Sequence, residues 1–203
     1  MEAPSYPSLQ NTSRAERTAS SRDVFWSEGY EGASMASLQR ATGLNPSSVY
    51  HAFGSKRGLF DAAIEDYLEC VVRPGLAPLR APEVAPDALE RYFLAARALF
   101  ADPSGRTLPD GCLLVNTAWS GLARDDGIAE AVRAYRAELL AAFTRGAQAR
   151  HPDQSPQERA QLVETCVALL ISALVMTRVD RDAATVALDS ALAAIQHQEH
   201  THP

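Results

Sequence analysis

Between Ser34 and Lys56 the chain reads SMASLQRATGLNPSSVYHAFGSK, and its polar side chains there are small and closely spaced. Asn45, Ser47 and Ser48 can each donate and accept hydrogen bonds, as reading the edge of a base pair requires. Tyr50 and His51 follow with a phenol and an imidazole suited to phosphate oxygens. Lys56 adds a charge where a further helix begins, and free amides at such a start also attract phosphate. Tyr50 has a second reading beside Val49 and Phe53, as a largely buried ring with only its hydroxyl at the surface. No comparably specific catalytic pattern occurs: HExxH, GxxxxGK[ST] and GxSxG are all missing from the sequence, and Gly54-Ser55-Lys56 lacks the upstream glycine of a phosphate loop. The expectation is a binding protein without cofactor or metal, not an enzyme.

These residues need elements to hold them. Helical periodicity dominates and no alternating β-branched run is long enough for a strand, so the chain reads as all-α. A first helix is predicted from about Arg14 to Glu28, stopping at Gly29. Ser34 caps a short second helix, Met35 to Thr42, which ends at Gly43. Pro46 suits the first turn of a third helix carrying Val49, Tyr50 and Phe53. Gly54-Ser55 breaks it, and Ser55 caps a fourth, Lys56 to about Val72, with Leu59, Phe60, Ala63, Ile64, Tyr67 and Leu68 on one face. Two short helices about a glycine-containing turn have the spacing of a helix-turn-helix, in which the second helix offers its N-terminal side chains to the major groove. Met35, Leu38, Val49 and Phe53 are its core.

Pro74, Pro78, Pro82 and Pro86 mark a joint, since each proline discourages helix through the residue before it. Beyond it five amphipathic segments are predicted: Pro86 to Ala101, Pro109 to Ala123, Gly127 to Ala149, Pro156 to Arg178 and Asp180 to His197. The domains read as a disordered leader over 1–13, a three-helix DNA-binding domain over 14–60, an effector-binding and dimerisation bundle over 61–197 and a disordered tail over 198–203. His197, His200 and His202 sit in the terminal HQEHTHP stretch, which reads as frayed chain and not as a metal site. No stretch of about 18 uncharged apolar residues marks a membrane span, and no signal peptide is seen. Cys70, Cys112 and Cys166 are too few and too far apart for a disulfide framework, which fits a reducing cytoplasm. The formal net charge of -6 is unevenly spread. Residues 1–60 hold 6 Lys or Arg and 5 Asp or Glu (6 − 5 = +1), and residues 61–203 hold 13 and 20 (13 − 20 = −7). That asymmetry favours nucleic-acid contact at the N-terminal end.

Gly29-Tyr30, Ser34-Met35, Ala41-Thr42-Gly43-Leu44, Val49-Tyr50-His51-Ala52-Phe53, Ser55-Lys56 and Leu59-Phe60 together resemble the N-terminal signature of the TetR family of bacterial repressors, over about residues 18–68. The resemblance implies an N-terminal head that binds double-stranded operator DNA. It also implies a C-terminal domain that binds a small effector, and a homodimer made by the last two long helices. It makes Ser34, Tyr50, His51 and Lys56 backbone contacts and Asn45, Pro46, Ser47 and Ser48 the groove-facing surface. One departure stands out: Arg17, Thr18, Ser20 and Ser21 occupy positions that the family fills with aliphatic residues and alanine. From this the first helix is expected to start late or to pack loosely.

A looser resemblance, Gly111-Cys112-Leu113-Leu114-Val115-Asn116-Thr117-Ala118, points to a branch of the family that includes electrophile- and oxidant-responsive repressors. Cys112 therefore has two readings, a buried small hydrophobe or a sensing thiol, and the second needs thiolate character and access. Phe93, Phe100, Cys112, Asn116, Trp119, Tyr135, Phe143 and Met176 are the candidate lining of an effector pocket, each with the competing reading of plain core. Asn116 and Trp119 are favoured because their polar atoms need partners. A third reading, a helical ligand-binding or enzymatic bundle, predicts no affinity for DNA at all.

Overall fold

The computed structural model describes residues 13–101 and 111–197, and among them the regular elements are all helical. The expected leader, apart from Ser13, and the expected tail, with His200 and His202, lie outside the described residues. Chain contacts separate two units, Met1–Cys70 and Val71–Pro203.

In the first unit α1 spans Arg14–Gly32. Its start is neither late nor loose. Ser13 Oγ accepts from the Glu16 amide at 3.2 Å while Glu16 Oε2 accepts from the Ser13 amide at 2.6 Å, a reciprocal capping box. Three of the departures from the family pattern, Thr18, Ser20 and Ser21, cost little because their hydroxyls are satisfied within the helix, whereas the fourth, Arg17, leaves its Nε buried without a hydrogen-bond partner. Thr18 donates to the Arg14 carbonyl at 3.0 Å and the fully buried Ser21 to that of Arg17 at 2.9 Å. At Gly29, φ 71° and ψ 170° interrupt the helix, a conformation open mainly to glycine, and helical geometry then resumes to Gly32.

The next elements are α2, Met35–Thr42, α3, Pro46–Phe53, and α4, Lys56–Tyr67, the last running into a π-helical turn over Leu68–Val72. Serine or asparagine caps each of α2, α3 and α4, and Gly43 closes α2 in the left-handed conformation. The core holds Phe25, Leu38, Val49, Leu59, Phe60 and Ala63, with Phe25 and Phe60 edge to face at 4.9 Å. Met35 and Phe53, expected in the core, are only half-buried.

The division between units falls after Cys70, not at 60/61, because the whole apolar face of α4 packs on α1. That shift removes the charge asymmetry. Residues 61–70 add Asp61, Glu65, Asp66 and Glu69 with no base, so residues 1–70 carry 6 − 9 = −3. Any affinity for DNA must come from where the cations sit, not from the net charge of the unit.

The second unit comprises α5 (Arg73–Arg80), α6 (Ala88–Phe100), α7 (Leu113–Ala118), a 3-10 turn (Gly121–Arg124), α8 (Asp126–Arg150), α9 (Pro156–Met176) and α10 (Arg181–His197). Two expectations fail here. The proline-rich joint contains a helix, with Pro74 in the first turn of α5 directly after the π-helical turn of Leu68–Val72, and Pro78 is tolerated in a helix of only eight residues. The single helix expected over Pro109–Ala123 is instead the short α7 and the 3-10 turn, with residues 109 and 110 outside the described set. The helices α9 and α10 form the main pair, α6 packs on α10, and α5, α7 and α9 pack on α8.

Ionic contacts tie α5 to α8. Arg73 Nη2 donates to Glu138 Oε1 at 2.9 Å, Arg80 Nη1 to Glu138 Oε2 at 3.3 Å, and Arg145 Nη1 to the Arg80 carbonyl at 3.0 Å. The bonded Arg73 guanidinium holds the Glu138 carboxyl below its usual range. A carboxylate depressed in the folded state stabilises above the unfolded pKa of about 4.3, and this contribution is lost as pH falls through the folded value. Glu138→Gln should therefore lose about 1 kcal/mol at neutral pH. Melting curves between pH 3 and 6 check this: the wild type should fall more steeply than the variant, and parallel curves would contradict the linkage.

By length and composition α9 could cross a membrane, with 39% of its most apolar window buried. Its charges argue for a packed helix instead: Glu158 completes a capping box with Ser155, and Glu164 accepts from Arg136 of α8 at 2.5 Å.

Candidate nucleic-acid interface

The surface built by α2 and α3 follows from their caps. Asn45 Oδ1 accepts from the Ser48 amide at 2.8 Å, so the residue that starts α3 spends its carbonyl oxygen on the helix and leaves its amide nitrogen to face outward. Pro46 fixes the first turn, and Val49, fully buried, anchors the helix from below. With Val49 facing inward, Pro46, Ser47, Tyr50 and His51 are exposed and Ser48 is half-buried. None of the side chains of Ser47, Ser48, Tyr50 and His51 makes a hydrogen bond or ion pair among the described residues. Tyr50 is 55% exposed, which settles its two readings in favour of the surface. The result is a short helix carrying two hydroxyls, a phenol and an imidazole, all with unspent hydrogen-bonding capacity.

The backbone anchors are more mixed. Ser34 Oγ accepts from the Ser37 amide at 3.0 Å and donates to Ser37 Oγ at 3.2 Å, while Ser37 Oγ reaches Glu28 at 2.9 Å. Ser34 is therefore first a cap, exposed at the start of α2. Lys56 is turned inward: its Nζ donates to the Tyr30 carbonyl at 2.6 Å and lies 4.5 Å from the Tyr30 ring centroid. It joins the end of α1 to the start of α4, keeping its charge near the surface without any carboxylate partner.

In the second unit, Phe93, Cys112 and Phe143 are fully buried, with Phe100 and Tyr135 nearly so. Phe93 and Phe143 lie 5.4 Å apart, and Tyr92, which sequence reasoning passed over, touches both at 5.5 and 5.1 Å. Desolvation, then the proximity of Cys112, pushes the Tyr92 hydroxyl above its ordinary range. The Cys112 thiol lies 3.8 Å from the Tyr135 hydroxyl. Tyr92, Phe93 and Phe143 thus pack together, with Cys112 beside Tyr92 and Tyr135. Asn116 and Met176 are half-buried, and Trp119 is not part of the group. It is 79% exposed, because α7 ends at Ala118 and the chain turns there into a 3-10 segment. Burial pushes the Cys166 thiol up to about 12, which makes it inert packing. Among the described residues no group of three His, Cys, Asp or Glu side chains could hold a metal ion.

Among the described residues, an all-helical fold with a capped helix-turn-helix and an exposed, polar second helix has the arrangement in which a helix can enter the major groove of DNA. Residues 18–63 match the profile of the bacterial regulatory proteins of the tetR family. The chain is 33% identical over 105 residues to the HTH-type transcriptional repressor ComR of Escherichia coli K12, which is 51% of this chain and 48% of ComR. It therefore spans about half the length of that relative. It is 28% identical over 153 residues to the repressor BdcR of the same organism, covering 74% of this chain and 71% of BdcR. Among solved structures, a cysteine-substituted form of the TetR-family regulator CifR, complexed with 26-base-pair operator DNA, superposes with a TM-score of 0.75 at 29% identity. That match covers 91% of this chain and 98% of CifR.

Proposed function

We propose that the whole chain is a cytoplasmic, homodimeric transcriptional repressor of the TetR type that is not an enzyme. In this reading each protomer lays α3 into one half-site of a roughly palindromic operator. The observation that carries it is the row of unpartnered polar side chains on α3, held on a capped helix above a packed core. CifR bound to operator DNA gives the same direction. The groove-facing set is Ser47 and Ser48 with the outward amide of Asn45; Tyr50 and His51 meet phosphates; Pro46, Ser34 and Lys56 position them.

A second copy is the natural cover for α9 and α10. Their outward residues include exposed Ala168 and Ser172 of α9 and Val186 of α10 at 63% exposure, small or apolar side chains suited to helix packing. Release of DNA would come from a small effector bound near Tyr92, Phe93, Tyr135 and Phe143. Such a ligand must bind the non-operator conformation better, since equal affinity for both shifts nothing. The complete burial of Cys112 supports its packing role over a sensing one.

Selection from sheared chromosomal DNA tests this reading. Recovered fragments should share two inverted half-sites whose centres lie about 34–36 Å apart or a multiple of it. Recovery of no fragment, or monomeric elution at micromolar concentration, would contradict it.

A further inference from the structure

The first unit holds six Lys or Arg side chains, and their partners sort them. Arg22 is bound by Asp23 and Asp66, both within 2.8 Å, and Arg57 by Asp61 at 2.8 Å. Arg14, Arg17, Arg40 and Lys56 form no ion pair with a carboxylate among the described residues; the Lys56 ammonium is committed to the Tyr30 carbonyl, and Arg17 is half-buried with its Nε shielded from solvent. Arg14 is the uncompensated cation that the fold delivers to the recognition helix. It stands at the start of α1, 38 residues before Ala52, yet its Nη2 lies 3.4 Å from the Ala52 carbonyl and its guanidinium carbon 5.0 Å from the Phe53 ring centroid.

We infer that Arg14 is a phosphate contact, a third strand of the interface beside α2 and α3. Four observations carry this. The guanidinium is exposed and lies at the last turn of the helix that reads DNA. No acid neutralises it, although residues 1–70 are net acidic and acids hold the neighbouring arginines. Stacking on Phe53 and the bond to Ala52 fix it before DNA arrives, so little side-chain freedom remains to be lost on binding. A guanidinium carries five N–H donors, and the single long bond to Ala52 leaves the rest of that fork for phosphate oxygens. Phe53 is half-buried for the same reason: one face of its ring belongs to Arg14. In this arrangement α1 contributes charge to the interface, and the capping box at Ser13 and Glu16 fixes the turn from which Arg14 projects.

The inference rests on DNA binding by α3, and the test separates the two. Affinity is measured by anisotropy against a salt series, on a fragment selected from chromosomal DNA and on unselected sheared DNA. Wild type, Arg14→Gln and Arg14→Lys are compared below their thermal midpoints. Neutralising one phosphate contact lowers the slope of log K against log salt by about one per protomer, or about two per dimer. Arg14→Gln should show that loss with both DNAs alike, since phosphate contacts carry no sequence information. Arg14→Lys should keep most of the slope. An Arg14→Gln slope equal to wild type would overturn the inference even if its melting temperature fell, because Arg14 would then serve only to close the end of α3. A wild type that binds neither DNA would overturn both the inference and the function on which it rests.

Discussion

Gly58→Ala should abolish operator binding and lower the melting temperature, although alanine is the better helix former. In an open helix the exchange would gain up to about 1 kcal/mol. Here a Cβ on Gly58 would come 2.1 Å from the carbonyl oxygen of Phe53 and 3.3 Å from its carbonyl carbon. Those are backbone atoms in the last residue of α3, and no rotamer change removes them. Relief requires the start of α4 to move away from the end of α3, with an overpacking cost on the order of 1–3 kcal/mol or more. The same displacement moves Ser55, whose hydroxyl accepts from the Gly58 amide at 3.0 Å, and the Phe53 ring that carries Arg14. Thermal melts and anisotropy on one selected fragment check it; a variant that melts higher and binds as well as wild type would contradict the tight α3–α4 junction.

Phe143→Ala should cost about 3–5 kcal/mol, the range for deleting a fully buried phenyl group. Phe143 has no exposed surface and meets Tyr92 and Phe93 at 5.1 and 5.4 Å, joining α8 to α6 at the centre of the second unit. Alanine would leave a void lined by two aromatic rings, while Phe143→Leu keeps much of the volume and should lose less than half as much. Urea unfolding is the measurement: the alanine midpoint should drop strongly with an unchanged slope. A small shift would mean that the bundle closes over the site, and that these rings do not form its core.

The helix-turn-helix was legible in the sequence because its signals are local. Ser34, Gly43, Asn45-Pro46 and Ser55 each act within one helical turn, and the observed bounds of α2 and α3 follow from them. What was illegible depended on partners distant in the chain. The inward turn of Lys56 requires the Tyr30 carbonyl, 26 residues away, and the position of Arg14 requires Ala52 and Phe53. Thr18 and Ser21 signalled a weak first helix only because residue type alone does not reveal that their hydroxyls close back on the preceding turn. The prolines misled for a related reason: proline breaks most helix interiors, yet Pro74 and Pro78 are accommodated in a short helix directly after the π-helical turn of Leu68–Val72. Trp119 drew attention by its chemistry, but its exposure is decided by where α7 ends, which the run of apolar residues before it conceals.

The central claim is that α3 reads DNA with side chains that do nothing for the fold. Ser47 and Ser48 make this testable, because neither side chain has a hydrogen-bond partner among the described residues and alanine suits a helix. The measurement is anisotropy of a selected chromosomal fragment across a salt series, for wild type and for the double variant Ser47→Ala, Ser48→Ala, with melting curves for both. The expected result is salt-dependent binding by the wild type. The double variant should melt at or above the wild-type temperature, bind unselected DNA as before, and lose its preference for the selected fragment by ten-fold or more, at about 1–3 kcal/mol per good base contact. Wild-type protein that binds no DNA at any salt, or a double variant with undiminished preference, would contradict it.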